Sequence, residues 1–197
     1  MSSRASEMND ERRTSGPASG WSVQVDTWPR AEQRPPRPES ASPGGLVDTL
    51  AGHTSGSTGF RMRIEAPSSI PQVLVVEGAI EGAESGFAPG LLVAEDASRV
   101  FVGAGEEARC YVLAEGGWRL GWRRRTDIGF WRWARHEDIV LMLAELEIIA
   151  WDVAGVLRWT LPVEPPWTYR VDAGVLVATT EGRTFRFPIE RGPAGVP

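Results

Sequence analysis

A chain of 197 residues has room for one domain and a tail, and 26 acids against 21 bases give it a net charge of −5, which argues against general nucleic-acid binding. Every base is arginine, and the single cysteine, Cys110, excludes an internal disulfide framework and a cysteine-clustered metal site. No window approaches the ~20 apolar residues of a membrane-spanning helix, and the polar N-terminus lacks a signal-type apolar run, so a cytoplasmic location is the expectation.

Residues 1–59 are rich in Ser, Pro, Gly, Arg and Glu. Arg34-Pro35-Pro36-Arg37-Pro38 and Ser42-Pro43-Gly44-Gly45 cannot hold a helix or a central strand. Little apolar surface is available there to offset the entropy of ordering, so the segment reads as a disordered N-terminal tail. Its one alternating stretch is Trp21-Ser22-Val23-Gln24-Val25-Asp26-Thr27-Trp28. The composition favours coil over a docked strand at that place.

At Phe60 the pattern changes. Phe60 to Glu65 alternates apolar and charged residues, as a half-buried strand does, and Val73 to Glu77 is a short buried run. Leu91-Leu92-Val93-Ala94, a polar turn, and Arg99-Val100-Phe101-Val102 make a hairpin. Further strands are expected at Glu107 to Ala114, Trp118 to Trp122, Ile128 to Trp133, Asp138 to Leu143, Leu146 to Asp152, Leu157 to Leu161, Val175 to Thr179 and Arg183 to Ile189. No stretch carries a 3.6-residue apolar stripe of helical length, so residues 60–197 are predicted to be an all-β domain.

Three segments repeat one pattern: Val100 to Val112, Val140 to Asp152, and Val175 to Phe187. Each is an apolar strand, a small or acidic turn, and a second strand. They start 40 and 35 residues apart, and Trp122 and Trp159 follow the first two copies. A period of ~40 residues of short strands suggests propeller blades. Ala150-Trp151-Asp152-Val153-Ala154-Gly155-Val156-Leu157-Arg158-Trp159 resembles the repeat of quinoprotein-type β-propellers and, more loosely, WD-type repeats. That resemblance covers about residues 90–190. It implies a docking role between blades for Trp159. The family's quinone- and metal-binding residues have no counterparts here, so only architecture is carried over, and no cofactor or metal is expected. From Phe60 to Pro197 about three antiparallel blade-like units of ~40 residues fit, fewer than the four of the smallest closed propellers. Closure through oligomerisation or an open stack of sheets then follows.

The candidate site residues fall in two groups. Trp118, Trp122, Trp131 and Trp133 are interleaved with Arg119, Arg123, Arg124, Arg125, Arg132 and Arg135, a pattern that single-stranded nucleic acid can use. Glu137, Asp138, Glu145, Glu147 and Asp152 follow directly, and cross-strand pairing of the two charge runs is the favoured reading. In that reading Trp131 and Trp133 share one strand face and Arg132 takes the other. His136 with Asp138, Glu145 and Glu147 is the one set suited to acid–base chemistry. Trp167 and Tyr169 follow Pro165-Pro166, and Trp167 either stands exposed as an interface anchor or folds back to cap the sheet.

These features predict a small bacterial-type β protein that binds a protein partner without catalysis, as a toxin neutraliser or a regulatory adaptor. The alternative is a hydrolase or carbohydrate-handling domain built on His136 and its neighbouring carboxylates. Nucleic acid and membrane are disfavoured as partners.

Overall fold

The computed structural model describes residues 20–28, 36, 44–50, 57–68, 72–80, 88–126 and 128–194. They form fifteen strands in four sheets, with one 3-10 turn at Glu95–Ala97. The first sheet contains β1 (Ser22–Trp28), β2 (Leu46–Thr49), β3 (Thr58–Ala66) and β4 (Gln72–Ile80), in the order β1-β3-β4-β2. The second runs β5 (Gly90–Ala94), β6 (Arg99–Ala104), β7 (Glu107–Ala114), β8 (Gly117–Arg125). The third contains β9 (Phe130–His136), β10 (Ile139–Ala144), β11 (Glu147–Asp152) and β12 (Leu157–Pro162), each paired with the next. The fourth has β13 (Thr168–Asp172), β14 (Val175–Thr180) and β15 (Arg183–Pro188). Every pairing is antiparallel except β2 with β4.

The three sequence repeats are the hairpins β6–β7, β10–β11 and β14–β15. In the second and third sheets they are the two central strands, and their continuous apolar runs have a physical reason. Ile139, Leu141, Leu143, Ile148 and Ala150 pack toward the fourth sheet, while Val140, Met142, Ala144, Ile149 and Trp151 pack toward the second. A strand covered on both faces has no use for alternation. The strand β14 alternates because only one face is covered: Leu176 and Ala178 are buried, and Thr179 is exposed. On that far face Arg170, Val177 and Arg186 lie side by side in register. A polar outer face of this kind ends a stack of repeats without an apolar surface.

Four sheets in chain order, packed face to face, make the propeller-like arrangement that the repeat implied. Three apolar clusters join first to second, second to third and third to fourth sheets. Among the described residues no core cluster joins the fourth sheet to the first. Strands β5 and β9 are neighbours, so the first-strand edges of the second and third sheets lie side by side.

Two expectations need correction. There are four sheets, not about three, and two strands of the first sheet lie in the segment read as a tail. Ser22–Trp28 pairs along its whole length with β3, and Leu46–Thr49 pairs with β4. Trp21, Leu50 and part of Val23 are buried against the second sheet. The composition of residues 1–59 concealed this, because two short strands need only a few apolar side chains when the rest of the sheet supplies the core. The remainder of the tail reading, residues 1–19, 29–35, 37–43 and 51–56, and with it His53, lies outside the described residues.

The sheets are joined by tryptophan contacts that repeat. The Trp122 indole on β8 donates to the Gly155 carbonyl, in the turn after β11, at 2.9 Å. The Trp159 indole on β12 donates to the Ile189 carbonyl, just after β15, at 2.6 Å. In both cases a residue of one sheet's last strand reaches the turn after the next sheet's third strand. The turn glycines, Gly155 and Gly192, have φ of +80° and +76°, a region that a side chain resists. Trp159 is buried, as the resemblance implied.

A polar network ties the first sheet to the second. Arg109 is buried between Asp48 at 2.7 Å and Glu107 at 2.8 Å, and the Tyr111 hydroxyl donates to Asp48 at 2.9 Å. A buried guanidinium needs such partners, since an unpaired charge away from water costs several kcal/mol. Burial pushes the Asp48 pKa up, but hydrogen bonds from Arg109 and Tyr111 outweigh it and hold the carboxyl below its usual value. Cys110 lies on the other face of β7, and burial pushes its thiol up to about 12, which fits a packing role.

Candidate functional site

The strand β9 carries Phe130-Trp131-Arg132-Trp133-Ala134-Arg135-His136. Its pairing with β10 is interrupted: Leu143 faces Arg132, but Ala144 faces Phe130. Trp131 is the extra residue of this bulge, and one extra residue reverses the facing of everything beyond it. Trp131 therefore turns to the fourth sheet, and Trp133 turns to the second. The expectation that both share a face is overturned by that insertion, and Arg132 looks toward the fourth sheet as well.

On the fourth-sheet side, Trp131 and Trp167 stack with ring centroids 4.9 Å apart and planes 12° from parallel. The Trp167 indole donates to the Glu145 carbonyl at 2.8 Å. Trp167 is 8% exposed, so it is a buried cap on the sheet edge and not a free anchor. A flat ring beside another indole, with its N–H satisfied, is more stable covered than in water. Next to this stack the Arg132 guanidinium sits 6.0 Å from the Tyr169 ring centre. The His136 ring meets the same tyrosine edge-on at 6.2 Å. Burial lowers the His136 pKa, and its Nε2 is enclosed without a hydrogen-bond partner. Burial likewise raises the pKa of the Tyr169 hydroxyl, against a smaller opposing effect of Arg132.

On the second-sheet side Trp133 joins an aromatic group with Phe101, Phe130, Trp122 and Trp151, and Trp122 stacks on Trp151 at 4.7 Å. This is core. The chemistry-bearing carboxylates are not gathered around His136. Glu147 is buried toward Arg124 of the second sheet, 3.5 Å away. Asp138 is an exposed turn residue whose carbonyl accepts from the Val153 amide at 2.9 Å. Glu145 contributes its backbone to Trp167. Among the described residues no cluster of three His, Cys, Asp or Glu is placed to hold a metal ion.

The arginine-rich run is mostly neutralised, though not chiefly by the acids that follow it. Arg123 pairs with Glu107 at 3.2 Å, Arg125 with Glu106 at 2.7 Å, and Arg135 with Asp96 at 2.7 Å. Within the run, among the described residues, only Arg124 uses a later acid, Glu147. The candidate residues thus separate. Trp131, His136, Trp167 and Tyr169 come together with the Glu145 backbone, while Trp133, Asp138 and Glu147 lie elsewhere. Arg132 belongs with the first set. Its sequence signal was a position between two tryptophans, within an arginine run that otherwise looked uniform.

No family model matches the chain, and no curated protein matches it. Solved structures similar to it include three proteins of different kinds. BamB from Moraxella catarrhalis is 22% identical over 76% of this chain and 47% of its own, with a TM-score of 0.40. The WD40 β-propeller domain of Doa1 is 10% identical over 88% of this chain and 57% of its own, with a TM-score of 0.43. Glutaminyl cyclase of Myxococcus xanthus is 13% identical over 85% of this chain and 72% of its own, with a TM-score of 0.31. The chain spans less than two thirds of the first two of these proteins.

Proposed function

We propose that the chain is a non-catalytic protein-binding module that presents the edge between its third and fourth sheets to a partner. The observation that carries this reading is the array of exposed Arg132 with half-buried Tyr169 and His136, on the strands that carry the Trp131–Trp167 stack. Aromatic and arginine side chains with few free rotors lose little entropy on contact, and such residues dominate binding energy at protein interfaces. The class includes both a toxin neutraliser and a regulatory adaptor. A hydrolase or carbohydrate-handling site on His136 would need carboxylates bonded to it, and Glu147 is instead buried toward Arg124 while Asp138 is an exposed turn residue.

The test is site-directed photo-crosslinking in the native cell with the full chain, since β1 and β2 belong to the first sheet. A photoreactive residue at Asp138, in the exposed turn two residues beyond His136, is expected to yield a discrete adduct. The same residue at Glu181, an exposed turn between β14 and β15, is expected to yield none. Adducts at both places, or at neither, would overturn the assignment of this edge.

A further inference from the structure

We propose that Arg132 is the receptor for an acidic side chain, aspartate or glutamate, on the protein partner; this rests on the binding reading above. Four of the six arginines between residues 119 and 135 already hold carboxylates: Arg123, Arg124, Arg125 and Arg135. Arg119 and Arg132 have no carboxylate within ion-pair distance among the described residues. They differ in support. Arg119 is exposed on β8 beside the exposed Leu120 and Gly121, with no ring beneath it. Arg132 lies over the Tyr169 ring, and that ring is braced edge-on by His136.

A guanidinium resting on an aromatic face keeps its N–H fork free in the ring plane's direction, so it meets a carboxylate with two parallel hydrogen bonds and little loss of freedom. The enclosed His136 Nε2 marks the base of the site as shielded from bulk solvent, and a charge pair is stronger near such a base than in open water. The ligand is a single carboxylate and not a polyphosphate. Glu137, Asp138 and Glu145 flank β9 in sequence, and the chain carries a net charge of −5, so a run of phosphates meets repulsion. β9 is the end strand of its sheet, the position at which an extended segment carrying the acid would add.

The experiment is a tryptophan-fluorescence titration of the full chain with a soluble glutamate-rich peptide, because Trp131 adjoins the site. A glutamine-rich peptide of the same length and inorganic phosphate are the controls. A saturable change with the glutamate peptide alone is expected. Arg132→Ala and Arg132→Gln should weaken it at least tenfold, with near-ultraviolet circular dichroism unchanged, and Arg119→Ala should leave it intact. No saturable response, an equal response to phosphate, or equal binding by the Arg132 variants would overturn the proposal. Repeating the Asp138 crosslink with Arg132→Ala separates the two readings. An adduct retained at full yield leaves the docking edge standing and removes the acid-receptor role, whereas no adduct even in the parent chain removes both.

Discussion

The Trp122 indole hydrogen-bonds the Gly155 carbonyl across 2.9 Å, between residues 33 positions apart, and so fastens the second sheet to the turn of the third. Trp159 does the same one sheet later, at Ile189. The contacts are equivalent in position but not in burial, since Trp159 is the more deeply covered. Replacing Trp122 with Phe keeps most of the stacking on Trp151 and removes the bond, for a loss of about 1 kcal/mol. Trp159→Ala empties a covered site beneath Phe187 and Gly192 and should cost about 3–5 kcal/mol. Urea unfolding of the two variants checks the order; a Trp159→Ala chain as stable as Trp122→Phe would refute the shared docking role.

Removal of residues 1–59 is expected to unfold the domain or lower its melting temperature by well over a few degrees. The sequence favoured the opposite outcome, but that deletion takes away β1, β2 and Asp48. Asp48→Asn alone leaves Arg109 with a weaker partner and should cost about 1–3 kcal/mol. Its pH dependence has a definite sign. The folded pKa of Asp48 is lowered, so its contribution is complete above the ordinary value of 3.8 and is lost as pH falls below that toward the folded value. Acid unfolding monitored by circular dichroism should therefore be less steep in Asp48→Asn than in the parent.

How far the sequence disclosed this molecule depends on where its information was local. The hairpins β6–β7, β10–β11 and β14–β15 were legible because their apolar runs and turns lie within a few residues of each other. The strand β13, Thr168 to Asp172, was not read, since only Tyr169 and Val171 mark its buried face and two prolines precede it. The Tyr111–Asp48 bond joins residues 63 apart and leaves no pattern in either segment. The bulge at Trp131 was equally hidden. One inserted residue decides whether Trp133 is part of a site or part of the core, and composition is indifferent to it. Trp167 keeps two readings in the sequence, because a proline-flanked aromatic in a loop reads the same whether it points outward or folds back.

His136 sets a second pH response. Burial lowers its pKa from 6.5, and the ring facing it is Tyr169 from β13, which carries Arg132 on its own face. Neither stabilises an imidazolium. Above the ordinary value both folded and unfolded chains hold the ring neutral. As pH falls through 6.5 the unfolded chain takes up the proton first, so stability declines until the lower folded value has been passed. Melting temperature measured from about pH 8 to about pH 5, the range in which histidine titrates, should fall in the parent and fall less in His136→Gln. Identical slopes would mean that His136 is not the group responsible.

Gly155 allows conformational strain and crowding to be separated. Its φ is +80°, and a β-carbon there would lie 3.2 Å from the Trp122 indole nitrogen, 3.3 Å from the Cys110 sulfur and 3.5 Å from the Arg99 Nε. Gly182 has nearly the same backbone, φ +83°, with nothing within 4 Å of the position. An alanine at either place pays for the left-handed backbone, roughly 1–2 kcal/mol. At Gly155 it also presses on the nitrogen that makes the Trp122 bond, and the Arg99 bond to Ala154 is one residue away. Gly155→Ala should therefore be more destabilising than Gly182→Ala by about the 1 kcal/mol of a lost hydrogen bond, and Trp122 emission should shift only in the former. Equal losses from the two substitutions would show that the turn tolerates the methyl group, and that the second and third sheets are held together by the Trp122–Trp151 stack rather than by the turn beneath it.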